Sequence, residues 1–190
     1  DVATGTVSSL GLLRGWDGAA VPEILGARLG VPVQVDNEAN LGALAEARLG
    51  AGRGCQHVLY VRVSHGVGGG LVLGGEVFRG RVGAAGEIGH VSVDEHGSVC
   101  RCGNRGCLET IVGAPALLET LRSSHGSLSL RDVIVRAAEG DPGCRRVISD
   151  AGRHLGMAVA TVCNVLDPEV VVVGGELAEA GELLLEPMRA

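Results

Sequence analysis

The sequence predicts an α/β fold, and three observations carry that prediction. Short Val- and Leu-rich runs alternate with longer segments whose apolar residues recur at helical spacing. Glycine, at 32 of 190 residues, stands at about 17% where about 7% is usual, and its clusters fall at the ends of the strand-like runs. Phe, Tyr and Trp number one each, so the core must be built from Val, Leu, Ile and Ala.

Taken in order, residues 1–20 read as loop, with Gly5, Gly11, Gly15 and Gly18. Val21 to Leu29 has helical spacing and stops at Gly30, a suitable C-cap. Residues 31–35 (Val-Pro-Val-Gln-Val) read as a short strand, followed by an Ala-, Leu- and Glu-rich helix from Asn37 to Leu49. His57 to Val63 reads as a buried strand. Gly66 to Gly70 reads as a turn, Leu71 to Leu73 as the start of a hairpin closed by Gly74-Gly75, and Glu76 to Phe78 as its return. Residues 80–110 form a Gly- and Cys-rich excursion, too long for a plain loop unless something fixes it. Helices follow at about 114–123, 129–139 and 142–166, with Pro115 and Pro142 near helix starts. Val170 to Val173 reads as a strand buried on both faces, ended by Gly174-Gly175, after which a last helix begins.

Composition excludes several functions. The chain carries 22 acidic and 16 basic residues, a net charge of −6, and every basic residue is Arg. A phosphate loop ending in Gly-Lys is therefore absent, and the longest basic run, Arg145-Arg146, is too short to track a nucleic-acid backbone. The scarcity of aromatics excludes a base-stacking platform. No apolar run reaches about 18 residues and no signal peptide opens the chain, so a cytoplasmic protein with no membrane partner is expected. The chain opens at Asp1 and stops inside an apparent helix, which reads as a piece of something longer.

Three of the six cysteines crowd into eight residues. Cys100, Cys102 and Cys107, with His90 ahead of them, make three thiolates and an imidazole, a full tetrahedral set for zinc. A closed four-ligand site is structural rather than hydrolytic, and Gly103 and Gly106 let the backbone fold tightly around it. Cys55, Cys144 and Cys163 read as small apolar side chains.

Asp36-Asn37-Glu38-Ala39-Asn40 sits where a predicted strand meets a helix, the end of an α/β sheet at which ligands bind. Asn offers donor and acceptor together, and a carboxylate can accept a hydroxyl proton, although the same residues are ordinary helix caps. Glu87 and Glu109 flank the cysteine loop on either side, where a rigid loop can aim them into a pocket or leave them as solvated charges. Gly66, Gly68 and Gly69, with Gly174 and Gly175, are phosphate-loop-like: clustered backbone N–H groups can cradle phosphate, though a Gly-rich β-turn explains them nearly as well.

Together these pieces resemble the ROK family of sugar kinases and sugar-responsive repressors, over essentially all of the chain. The family's zinc pattern, His-x9-Cys-x-Cys-Gly-x2-Gly-Cys-x-Glu, is met at every position from His90 to Glu109, and its Glu-x-Gly-His sugar motif is Glu87-Ile88-Gly89-His90. The resemblance implies an actin-like, ribonuclease H-like ATPase fold of two lobes. Residues 1–36 would be the remainder of the smaller lobe, and 37–190 the larger lobe with the sugar site and the zinc loop at 80–110. It implies that Asn37, Glu87, His90 and Glu109 hydrogen-bond sugar hydroxyls, with His90 also on zinc and Asn40 in support.

Two departures bear on function. Kinases of the family carry Asn-Asp-x-Asn, the Asp acting as base; here Glu38 stands there, and one extra methylene moves a carboxylate by roughly an ångström. The Gly-Thr-Gly of the kinase phosphate loop is Ser64-His65-Gly66. The resemblance thus implies the sugar-binding part of a repressor that has lost kinase activity. Such a protein would be a homodimer or homotetramer, its DNA contact made by an upstream helix-turn-helix outside this chain. The alternative is an ATP- and magnesium-dependent sugar kinase with Glu38 as base. A silent scaffold whose loop supports dimer packing is a third reading.

Overall fold

The computed structural model describes Thr6, Gly15, Trp16 and residues 18–190. The loop expected over residues 1–20, including Gly5 and Gly11, falls largely outside the described residues. Helix α1 spans Val21–Leu29, carries Pro22 in its first turn and closes on Gly30, the C-cap expected of it. Helix α2, Glu38–Leu49, starts at Asn37, whose side chain accepts the Asn40 N–H.

A mixed four-stranded sheet follows. Strands β1 (Val58–Val63), β2 (Val67–Leu73) and β3 (Glu76–Phe78) form an antiparallel meander, and β4 (Val170–Gly174) lies parallel to β1 on its other side, giving the order β3-β2-β1-β4. Helix α2 covers one face, where Ala43 packs on Val58, Tyr60 and Val72. Leu59, Val61 and Val63 point the opposite way, into a larger core. That core is closed by α3 (Glu109–Val112), α4 (Ala114–His125), α5 (Leu130–Ala138), α6 (Pro142–Leu166) and α7 (Glu182–Arg189). Alternation along β1 thus assigns each residue to one of two cores. The aliphatic composition suffices: Leu59, Ile148, Leu155, Leu177 and Leu184 are all fully buried. No helix among the described residues is long and apolar enough to cross a membrane.

Three expectations are corrected. Residues 31–35 form no strand; they carry no regular structure, are mostly exposed and have no ladder partner among the described residues. Their β-propensity is real, but propensity alone does not make a strand without a partner to pair with. The turn expected at Gly66 to Gly70 is confined to residues 64–66, and Gly68, Gly69 and Gly70 lie inside β2, paired with Arg62, Val61 and Tyr60. Glycine is there for close approach: a Cβ on Gly70 would stand 2.7 Å from Ala43 Cβ and closer still to the Ala39 carbonyl oxygen. Finally, β4 is only partly buried throughout, because it is an edge of the described sheet.

Candidate functional site

Strands β1 and β4 run parallel and end together, and β2 begins beside them. The predicted site residues gather around that end. On one face of β2, Gly68 meets Ala39, so the start of α2 sits against the strand. On the other face, Gly69 approaches the Gly86 carbonyl and Ile88, and Gly89 abuts the Val67 backbone. The Glu87–His90 turn therefore lies against the first residues of β2. Glu109, at the start of α3, completes the group: its Oε2 accepts the Val67 N–H at 3.0 Å.

Asp36 organises the α2 side. Its Oδ1 accepts the Asn37 N–H and Asn40 Nδ2, both at 2.8 Å, and its Oδ2 accepts Arg79 Nε at 2.7 Å. Burial alone would raise the Asp36 carboxyl, but the Asn40 and Arg79 hydrogen bonds outweigh it and hold the group below its ordinary value. Asp36 follows no strand, so its place comes from this network. Asn40 is 1% exposed, and its Oδ1 is buried with no hydrogen-bond partner among the described residues. An orphan acceptor of that kind is costly unless something donates to it. Glu38, at the position of the kinase base, is exposed, and its Oε1 pairs with Arg62 of β1 at 2.7 Å.

The cysteine loop is built as its spacing suggested. The ligand atoms of His90, Cys100, Cys102 and Cys107 all lie within 4.8 Å of one another. Cys100 Sγ stands 3.5 Å from His90 Nδ1, and Cys102 Sγ stands 3.6 Å from Cys107 Sγ. A tetrahedral zinc with bonds of roughly 2.0–2.3 Å has edges of about that length, so the donor set fits the ion in chemistry and in size. Burial and the neighbouring thiols push the Cys107 thiol up to about 12. Isolated bridges Ser92–Cys107 and Val99–Arg105 draw the loop into a tight knuckle. Gly106 is obligatory in it: φ is +62°, and a Cβ would overlap the Asp94 carbonyl.

His90 faces two ways, with Nδ1 toward Cys100 and Nε2 3.8 Å from Glu87 Oε2. The loop also reaches the site through Arg101, whose Nε pairs with Glu109 Oε1 at 3.1 Å. Arg62, Arg79 and Arg101 were not foreseen from sequence; each arrives from a separate element, and no local spacing announces it. Of the phosphate-loop-like glycines, Gly66 lies in the β1–β2 turn, Gly68 and Gly69 are strand residues, and Gly174 and Gly175 close β4. Gly174 pairs with Arg62, and Gly175 packs on the Val63 carbonyl, so these two and the Gly66 turn meet at one end of the sheet.

Comparison with known proteins places the chain. The profile of the ROK family matches residues 7–190. The glucokinase of Halalkalibacterium halodurans is 36% identical over 191 residues, covering 92% of this chain and 58% of that protein. The xylose repressor of Bacillus subtilis is 35% identical over 160 residues, covering 84% of this chain and 42% of that protein. Among solved structures, a ROK family transcriptional regulator, described as a homolog of the E. coli MLC protein, superposes with a TM-score of 0.87 at 31% identity. That match covers 99% of this chain and 50% of the other. The chain thus spans about half the length of the curated relatives it matches, and kinases and repressors resemble it equally. Its mixed α/β sheet is that of the actin-like sugar-kinase fold, and the chain belongs to the ROK family.

Proposed function

We propose that this chain is the sugar-binding effector portion of a ROK-type transcriptional repressor in which kinase activity has been lost. The observation that carries the reading is the ion pair between Glu38 and Arg62. A general base needs a carboxylate oxygen free to meet the sugar hydroxyl in a fixed geometry. Here the longer side chain leans onto β1, where Arg62 holds it. Asn37, Glu87, His90 and Glu109 remain to receive hydroxyl groups, with the buried Asn40 in support, which is what a sensor requires.

His90, Cys100, Cys102 and Cys107 would hold zinc as a closed structural set, fixing the loop that carries Arg101 and leads into Glu109. Glu109 accepts from Val67, Arg101 steadies it, and His90 offers Nε2 beside Glu87. Residues 37–190 would form the larger lobe, and 1–36 the rest of the smaller one. Sugar bound between the lobes would change their angle, and through a homodimer or homotetramer the spacing of helix-turn-helix domains outside this chain. Such coupling requires different sugar affinities in the two arrangements. A cytoplasmic location accords with this role.

The kinase reading has its own support: the H. halodurans glucokinase is as similar as the repressor, and Gly66 and Gly174-Gly175 lie at the same end of the sheet. In that reading Glu38 would serve as base with ATP and magnesium. Sugar binding is tested by thermal shift against a panel of pentoses, hexoses and amino sugars. A stabilising sugar whose effect falls in Asn37→Ala and Glu87→Ala supports the site. A panel in which no sugar stabilises the protein would favour a scaffold.

A further inference from the structure

We propose that His125, Asp141 and Cys144 form a second, exchangeable binding site for a borderline divalent cation such as zinc, separate from the cysteine loop. His125 is the last residue of α4, Asp141 the N-cap of α6, and Cys144 lies in the first turn of α6. One nitrogen, one oxygen and one sulfur donor lie within 4.8 Å of one another. Cys144 is fully buried, while the His125 and Asp141 side chains are only 15% and 26% exposed, so the group is shielded yet open on one side.

The hydrogen bonds show where the cation fits. His125 Nε2 stands 3.1 Å from both Asp141 oxygens, and Oδ1 is already committed to the Cys144 N–H at 2.8 Å. Oδ2 is therefore free to turn to a cation without loss of the helix cap. On the far side of the ring, Nδ1 is 2.7 Å from Ser124 Oγ, which is itself 3.2 Å from the Leu121 carbonyl. When the serine hydroxyl donates to that carbonyl, Nδ1–H donates to Ser124 and the Nε2 lone pair faces the carboxylate. A lone pair in that position needs a positive charge between it and the carboxylate. A proton can supply it, but a proton leaves Cys144 without a part.

With the imidazole and thiol both protonated, one carboxylate has two protonated donor groups within 4.8 Å of it. One divalent cation replaces the Nε2 proton and the thiol proton, releases both to solvent, and leaves the net charge unchanged. The i, i+3 spacing of Asp141 and Cys144 puts their donors on one face of α6. Mixed N, O and S donors select zinc or cobalt over magnesium or calcium, and three protein ligands leave a fourth position for water. Sequence spacing reads Cys144 only as a small apolar side chain, because His125 reaches it only through the packing of α4 on α6.

The test is equilibrium dialysis of the full-length protein against zinc chloride at mildly alkaline pH, with zinc counted per chain. Cobalt is titrated in parallel, and its thiolate charge-transfer absorption is read. The wild type is expected to take two equivalents, and His125→Ala, Cys144→Ala and Asp141→Asn one each. Asp141→Asn retains the cap, so it decides the matter if the others unfold. Cys102→Ser is expected to lose the loop metal and keep the second. One equivalent in the wild type at saturating zinc, or a second equivalent that survives in all three variants, overturns the proposal.

Discussion

Gly70→Ala tests how the fold positions the site. Gly70 faces α2 from inside β2, and the new Cβ would stand 2.7 Å from Ala43 Cβ and against the Ala39 carbonyl. Ordinary carbon contacts lie at about 3.5–4.0 Å, so helix and strand must part by roughly 1 Å. Neither obstacle is a flexible side-chain tip; one is helix backbone and the other a Cβ, so α2 has to move as a unit. Overpacking of this kind costs about 1–3 kcal/mol. In a protein of this size that lowers Tm by roughly 2–4 °C per kcal/mol. Because α2 starts at Asn37 and Asn40, the same shift moves both amides and weakens sugar binding, by about tenfold if positioning falters by 1.4 kcal/mol. Gly68→Ala is the control, since its Cβ meets only Ala39 Cβ at 3.3 Å. Thermal melts and sugar titrations of the two variants check this. A Gly70→Ala protein with wild-type Tm and wild-type affinity would refute the packing argument.

Other expectations follow from the same geometry. Cys102→Ser should lower stability and sugar affinity together, because the loop carries Arg101 to Glu109; melting and titration check it, and loss of neither would make the loop decorative. Glu109→Ala leaves the Val67 N–H without its acceptor and should cost about 1–3 kcal/mol in denaturant unfolding, as well as weakening sugar binding. Glu87 is half-exposed, so Glu87→Ala should reduce sugar affinity in the same titration without changing Tm. Asp36 has its carboxyl held below its ordinary 3.8, so its contribution is fully present above that value and lost as pH falls through the lower folded value. Asp36→Asn should therefore lower stability at neutral pH and flatten the acid limb of a stability–pH profile.

The clustering of His90, Cys100, Cys102 and Cys107, which could hold a metal, was legible because the four lie within 18 consecutive residues and the glycines mark the bends. Helices α2, α5 and α6 were legible through their apolar spacing and, for α6, Pro142 at its start, whereas the Ser129–Asp132 capping box and the Asp141 cap emerge from the structure. The glycine run misled for a physical reason. Gly68 to Gly70 lack the side chains that mark a strand, and they lack them because α2 and the Glu87–His90 turn press on both faces. Residues 31–35 misled in the opposite direction: their strand-forming side chains pair with no strand among the described residues. The arginines at 62, 79 and 101 could not be assigned from sequence, because each pairing spans separate elements and is set by the fold.

The central claim is that the site binds sugar but does not phosphorylate it. It is tested most directly by incubating the full-length protein with labelled ATP, magnesium and a panel of hexoses and amino sugars. The same panel is run without ATP for thermal stabilisation. The account predicts stabilisation by at least one sugar and no labelled sugar phosphate. Turnover would contradict it, by showing that Glu38 works as a base despite Arg62.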